Sequence, residues 1–132
     1  MERLKFKDEK HREFYDEKTQ VLGSNEYLKS LIYLVGLSST TRGRWNEIFQ
    51  EEEAVIKPEV LKESWQTGTS LRILRLGFQL YTDSTVSDID FETGEQDIEE
   101  CRKYSVSDIF CCEYAPFFVE AVKLRYPVYF RY

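Results

Sequence analysis

From Leu71 to Tyr81 nearly every position is apolar, and the exceptions, Arg72, Arg75 and Gln79, fall at i, i+3 and i+7, one narrow stripe of a helix. A helix that is apolar almost all round is buried, so this stretch predicts the central rod of a helical domain, over about residues 70–82, with Thr69 or Ser70 as its N-cap. Upstream, Asp8 is placed to cap a surface helix with Phe14, Tyr15 and Val21 as its apolar face, ended by Gly23. Ser24 then caps a second helix, 25–36, whose apolar face of Tyr27, Leu28, Leu31, Ile32, Leu34 and Val35 is wide enough for contacts on two sides. After the cap cluster 38–41, Trp45, Ile48 and Phe49 at i, i+3 and i+4 predict a third, shorter helix over 42–50, and Pro58 opens a short one through Lys62.

Beyond the central rod, residues 82–97 are rich in Asp, Ser and Thr without a sustained period and read as the longest loop. Helix resumes at Glu95 through Tyr104, Ser105 caps a short helix over 106–111, and Pro116 opens the last one, stopped by Pro127. No strand pattern is convincing. The sum is all-α: one compact domain over residues 1–132, a bundle of about six helices around the buried central helix.

Composition agrees with a packed chain, since hydrophobic residues make up 42% and aromatics 15% of the 132 positions. No run of 18 apolar residues exists and the N-terminus leads into charge, so a soluble, cytoplasmic protein is expected. Three cysteines, Cys101, Cys111 and Cys112, argue for reduced thiols over a disulfide framework. The net charge of −6 is uneven. Between Arg75 and Arg102 stand eight acidic residues and no Lys or Arg, while the other 16 of the 24 acids face all 18 basic residues. Acidity is thus one local stretch, which argues against direct nucleic-acid binding.

His11-Arg12-Glu13-Phe14-Tyr15, Tyr33-Leu34-Val35-Gly36-Leu37 with Thr41-Arg42, Trp65-Gln66-Thr67 with Arg75-Leu76 and Phe78, and Cys111-Cys112 leading to Tyr114-Ala115-Pro116 and Leu124-Arg125-Tyr126-Pro127 carry a resemblance over almost the whole chain. In this combination the sequence resembles an uncharacterised domain-of-unknown-function family of small proteins from anaerobic gut bacteria, their prophages and other mobile elements. That resemblance implies a fold and a genomic setting and carries over no functional residue. Small proteins in that setting often inhibit a host defence protein, CRISPR nucleases among them.

Several constellations are candidates for chemistry. Asp88, Asp90, Glu92 and Glu99 match positions 1, 3, 5 and 12 of a calcium loop, but Thr93 stands where the turn glycine belongs, so a solvated acidic loop is the better reading. As a partner-binding patch, Asp83, Asp88, Asp90, Glu92, Glu95 and Asp97 would present carboxylates to a basic groove, in the manner of a nucleic-acid mimic. Adjacent Cys111 and Cys112 diverge on a helix and make a poor metal pair, and His11, in a charged run, reads as a surface histidine rather than a catalytic base. Thr69 and Ser70 with Arg72 and Arg75 form a candidate anion site at a helix N-terminus, against which stands capping with internal arginine–carboxylate pairs. The aromatic tail, with Tyr126, Tyr129, Phe130 and Tyr132, is a candidate partner surface.

These readings favour a non-enzymatic protein, without cofactor or metal, that binds and inhibits a host protein such as a nucleic-acid-processing defence enzyme. The alternatives are an anion- or nucleotide-binding regulator and a small metal or thiol enzyme.

Overall fold

The structure is a computed structural model that describes residues 4–85 and 98–130. The chain is helical, with one two-residue strand pair among the described residues. Helix α1 spans Glu9–Leu22. Asp8 Oδ1 accepts the His11 N–H at 2.8 Å at its start, and Gly23, at φ 111°, takes the left-handed turn that ends it. Val21, expected on its inner face, is 72% exposed, so that face is narrower and rests on Phe14 and Tyr15.

Helix α2, Glu26–Val35, is capped by Asn25 rather than Ser24, because the Asn25 carboxamide reaches the Leu28 N–H at 2.9 Å. The single helix expected over 42–50 is instead two turns, α3 (Ser39–Arg42) and α4 (Trp45–Ile48), parted at Gly43. The chain then pairs β1 (Phe49–Gln50) antiparallel with β2 (Val55–Ile56). Thr41 fixes this break by donating its hydroxyl to the Val35 carbonyl at 2.6 Å, which folds α3 back on the end of α2.

A 3-10 turn, Pro58–Lys62, leads to α5, Gly68–Thr82. Its N-cap is Thr67, two or three residues before the expected caps. Ser70 sits at the third helical position, where its Oγ accepts the Thr67 N–H at 2.7 Å while Thr67 Oγ1 accepts the Ser70 N–H at 3.0 Å. Such a reciprocal cap contributes about 1 kcal/mol. After α6 (Ile98–Arg102) and α7 (Val106–Ile109, capped by Ser105), α8 runs Ala115–Arg125 with Pro116 in its first turn, and a 3-10 turn, Pro127–Phe130, follows.

Two helices share the centre. Both α2 and α5 contribute to two apolar clusters on opposite sides: Phe14, Trp45, Phe49 and Phe78 with Leu31 and Leu74 on one, and Tyr33, Leu34, Ile73, Ile109 and Phe118 on the other. Gly77 permits the close approach of the pair, since a Cβ there would lie 3.1 Å from Leu31 Cδ1. Each wholly buried Leu or Ile contributes roughly 1.5–3 kcal/mol, so Leu31, Ile32, Leu34, Ile73 and Leu74, all without exposed surface, make this pair the main source of stability. Helices α1 and α8 flank α2, and the polar stripe of α5 turns toward α6 and α7. No helix among the described residues is long and apolar enough to cross a membrane.

Candidate functional site

Arg125, at the end of α8, organises one end of the bundle. Only 7% exposed, it donates from Nε to the Leu80 carbonyl at 2.8 Å and from Nη2 to Asp83 Oδ1 at 2.7 Å. Leu80 lies in the last turn of α5, where carbonyls have no helical partner, so Arg125 closes that helix from outside. The guanidinium also lies 3.7 Å from the Tyr27 ring centre and 4.6 Å from that of Tyr126. This clasp joins α2, α5 and α8 and aims the turn that follows. There Val128 is 64% and Tyr129 79% exposed, while Tyr126 and Phe130 are half-buried. Beside the turn runs a groove of about 240 Å³ with Leu4, Leu124 and Pro127 as its apolar lining and Glu26, Lys29, Glu120 and Lys123 as its charged one. Pro127, which lines the groove, opens the same 3-10 turn that carries Val128 and Tyr129. Tyr132 lies outside the described residues.

Of the acidic stretch, Asp88, Asp90, Glu92, Glu95 and Asp97 lie outside the described residues, as does most of the pattern that suggested a calcium loop. Its two flanks are fixed by arginines: Asp83 by Arg125, and Glu100 by Arg75 at 3.2 Å. Glu99 makes an exposed pair with Arg102, also at 3.2 Å.

The four residues grouped as an anion site are parted. Thr69 and Ser70 line a polar cleft of about 400 Å³ whose other donors are Lys7, Arg42 and the hydroxyls of α3, with Asp8 and Glu113 as its acids. Arg72 turns away, donating from Nε to the Asp108 carbonyl at 2.8 Å, and Arg75 pairs with Glu100. Both arginines therefore engage internal partners on α6 and α7, as the capping alternative required. Lys7 and Arg42, which the sequence did not single out, supply the cleft's positive charge; their neighbours in the chain give no periodic signal for that convergence.

His11 is not a surface residue. It has no exposed area, with Nε2–H donating to the Tyr33 carbonyl at 2.7 Å and Nδ1 accepting the Lys7 N–H at 3.0 Å, which fixes the neutral tautomer. Rings of Phe6, Tyr33 and Phe117 surround it. Burial, the dominant cause, pushes its pKa down to about 4. Both ring nitrogens are thus occupied in holding residues 5–8 across the bundle, where Tyr33 also donates its hydroxyl to the Lys5 carbonyl. Cys111 and Cys112 sit in a bend after α7 rather than on a helix, and among the described residues no three His, Cys, Asp or Glu side chains converge as metal ligands.

The fold and these surfaces define a small all-helical protein whose described concavities are open clefts on a packed bundle. The chain belongs to the family of unknown function DUF6075, whose model matches residues 1–132. Comparison with curated proteins and with solved structures gave no match.

Proposed function

We propose that the protein is a non-enzymatic binding protein that docks another protein through the C-terminal end of its bundle. The carrying observation is the exposed pair Val128 and Tyr129, aimed by the Arg125 clasp and set beside the groove of Leu4, Leu124 and Pro127. Apolar and aromatic side chains at the centre with Glu26, Lys29, Glu120 and Lys123 around them have the anatomy of an interface core and rim. The occupant is a protein with a basic surface and an apolar anchor for the groove. Charge argues for it: the chain carries −6, and residues 84–98 hold five carboxylates and no cation, which favours encounter with basic surfaces.

In its finer form the partner is a host defence enzyme that handles nucleic acid, a CRISPR nuclease being the type, and the protein is its stoichiometric inhibitor, encoded on a prophage or other mobile element. Basic grooves are what such enzymes offer. The test compares wild type with the double variant Val128→Asp, Tyr129→Asp as tagged baits in lysate of the source organism. A stoichiometric partner held by wild type is expected to be lost by the variant, roughly tenfold or more, with equal melting temperatures showing both folded. Retention of that partner by the variant, or no stoichiometric partner for wild type, contradicts the reading.

A further inference from the structure

We propose that Cys111 and Cys112, adjacent in the bend between α7 and α8, are a redox modification site: a thiol pair that a hydroperoxide closes to a reversible disulfide. On a helix their side chains would diverge by about 100°, but here the chain leaves α7 at Ile109 and enters α8 only at Ala115. Cys111 is exposed, and Cys112 is half-buried against the cluster that holds Ile109 and Phe118. One thiol is therefore open to oxidant, and the other stands next to it in the chain. This is the arrangement of a reacting cysteine with a resolving one.

The backbone leaves room for closure at the one bond that must turn. The Cys111 N–H donates to the Asp108 carbonyl at 3.3 Å and the Cys112 carbonyl accepts the Ala115 N–H at 3.2 Å, so the peptides on either side are tied down. Between them, the Cys111 carbonyl and the Cys112 N–H have no hydrogen-bond partner among the described residues. A disulfide between neighbours closes a small ring about that peptide group alone, which can turn here without breaking a hydrogen bond. The chemistry balances in two steps. The Cys111 thiol takes the outer oxygen of the hydroperoxide as a sulfenic acid, the O–O bond breaks, and an alcohol or water leaves. The Cys112 thiol then attacks that sulfur, the S–O bond breaks, and water leaves with the Cys112 proton, so two thiols are oxidised by the two electrons that the peroxide gains. Neighbouring Cα atoms stand about 3.8 Å apart across a trans peptide, closer than the roughly 4.4–6.8 Å of ordinary disulfides. The ring is therefore strained and readily reduced, as regulatory disulfides are.

The test treats the reduced full chain with hydrogen peroxide in slight excess, blocks the remaining thiols, and digests with trypsin under non-reducing conditions for mass spectrometry. Cleavage after Lys103 and Lys123 puts Cys111 and Cys112 on one peptide and Cys101 on another. The first peptide is expected to lose two hydrogens and take up no blocking reagent, and excess glutathione is expected to return both thiols. Cys112→Ser is expected to stop at the Cys111 sulfenic acid, trapped with dimedone, while Cys101→Ser closes the pair as the wild type does. Recovery of both thiols unreacted, a disulfide joining the two peptides, a sulfinic acid at Cys111 beside a free Cys112 thiol, or a ring that glutathione leaves closed overturns the proposal.

Discussion

Taking the protein from pH 7 to pH 5 is expected to cost the fold roughly 2 kcal/mol through His11 alone. In the folded chain burial holds its pKa at about 4, against 6.5 for the free side chain. Between those values the unfolded chain carries a proton that the folded chain lacks, so acid favours unfolding. The stability is fully present above pH 6.5, falls by at most about 1.4 kcal/mol per pH unit below it, and levels off near pH 4 after a loss of about 3 kcal/mol. Asp8 stands close enough to favour the imidazolium and Arg42 and Lys7 to oppose it, but desolvation outweighs all three. The Asp8 carboxyl is itself held low by the His11 N–H, so its loss falls below its ordinary value of 3.8, outside this window. Against the 5–15 kcal/mol typical of a domain, the His11 effect is large. Urea unfolding followed by the fluorescence of Trp45 and Trp65 at pH 7, 6 and 5 measures it. His11→Gln, which cannot titrate, is expected to be less stable at pH 7 but flat across the window. Parallel pH profiles for the two proteins, or an imidazole resonance of the native protein titrating near 6.5, would refute the reasoning.

Two further substitutions probe the packing. Arg125→Ala strips the clasp and leaves the last turn of α5 open, while half-exposed Asp83 keeps the Tyr27 hydroxyl, for an expected loss of about 1–3 kcal/mol in urea unfolding; Arg125→Lys should not restore it, because an ammonium cannot make both bonds while stacked on Tyr27. Gly36→Ala places a Cβ 2.9 Å from both His11 Cδ2 and Phe14 Cδ1, and is expected to lower stability by about 1–3 kcal/mol as α1 is forced off α2; an unchanged melting temperature would show that α1 gives way without cost.

What could be read from the chain was what local chemistry decides. Asp8, Gly23, Ser105 and Pro127 punctuate helices where their side chains or backbone dictate, and the apolar run of α5 announces its burial. The cap of that helix escaped because its reciprocal partner is Ser70, where the usual pattern has Glu or Gln. Strands of two residues are too short to show a period. His11 was misplaced because Lys10 and Arg12 beside it are exposed, while its own burial depends on Phe6, Tyr33 and Phe117, brought in from other parts of the fold. The fates of Arg75 and Arg125 were equally hidden, since their carboxylate partners lie 25 and 42 residues away in the chain. Of the candidate surfaces, the aromatic tail was legible as an unusual terminal cluster, but the groove beside it needs Leu4 and α2, which no local pattern connects to Pro127.

The docking claim is tested most directly by hydroxyl-radical footprinting of the complex with a purified partner. Tyr129 and Leu124 are expected to lose reactivity on binding while Tyr114, at the polar cleft, and Tyr81 keep theirs. Unchanged reactivity at Tyr129 and Leu124, with protection elsewhere, would contradict the account.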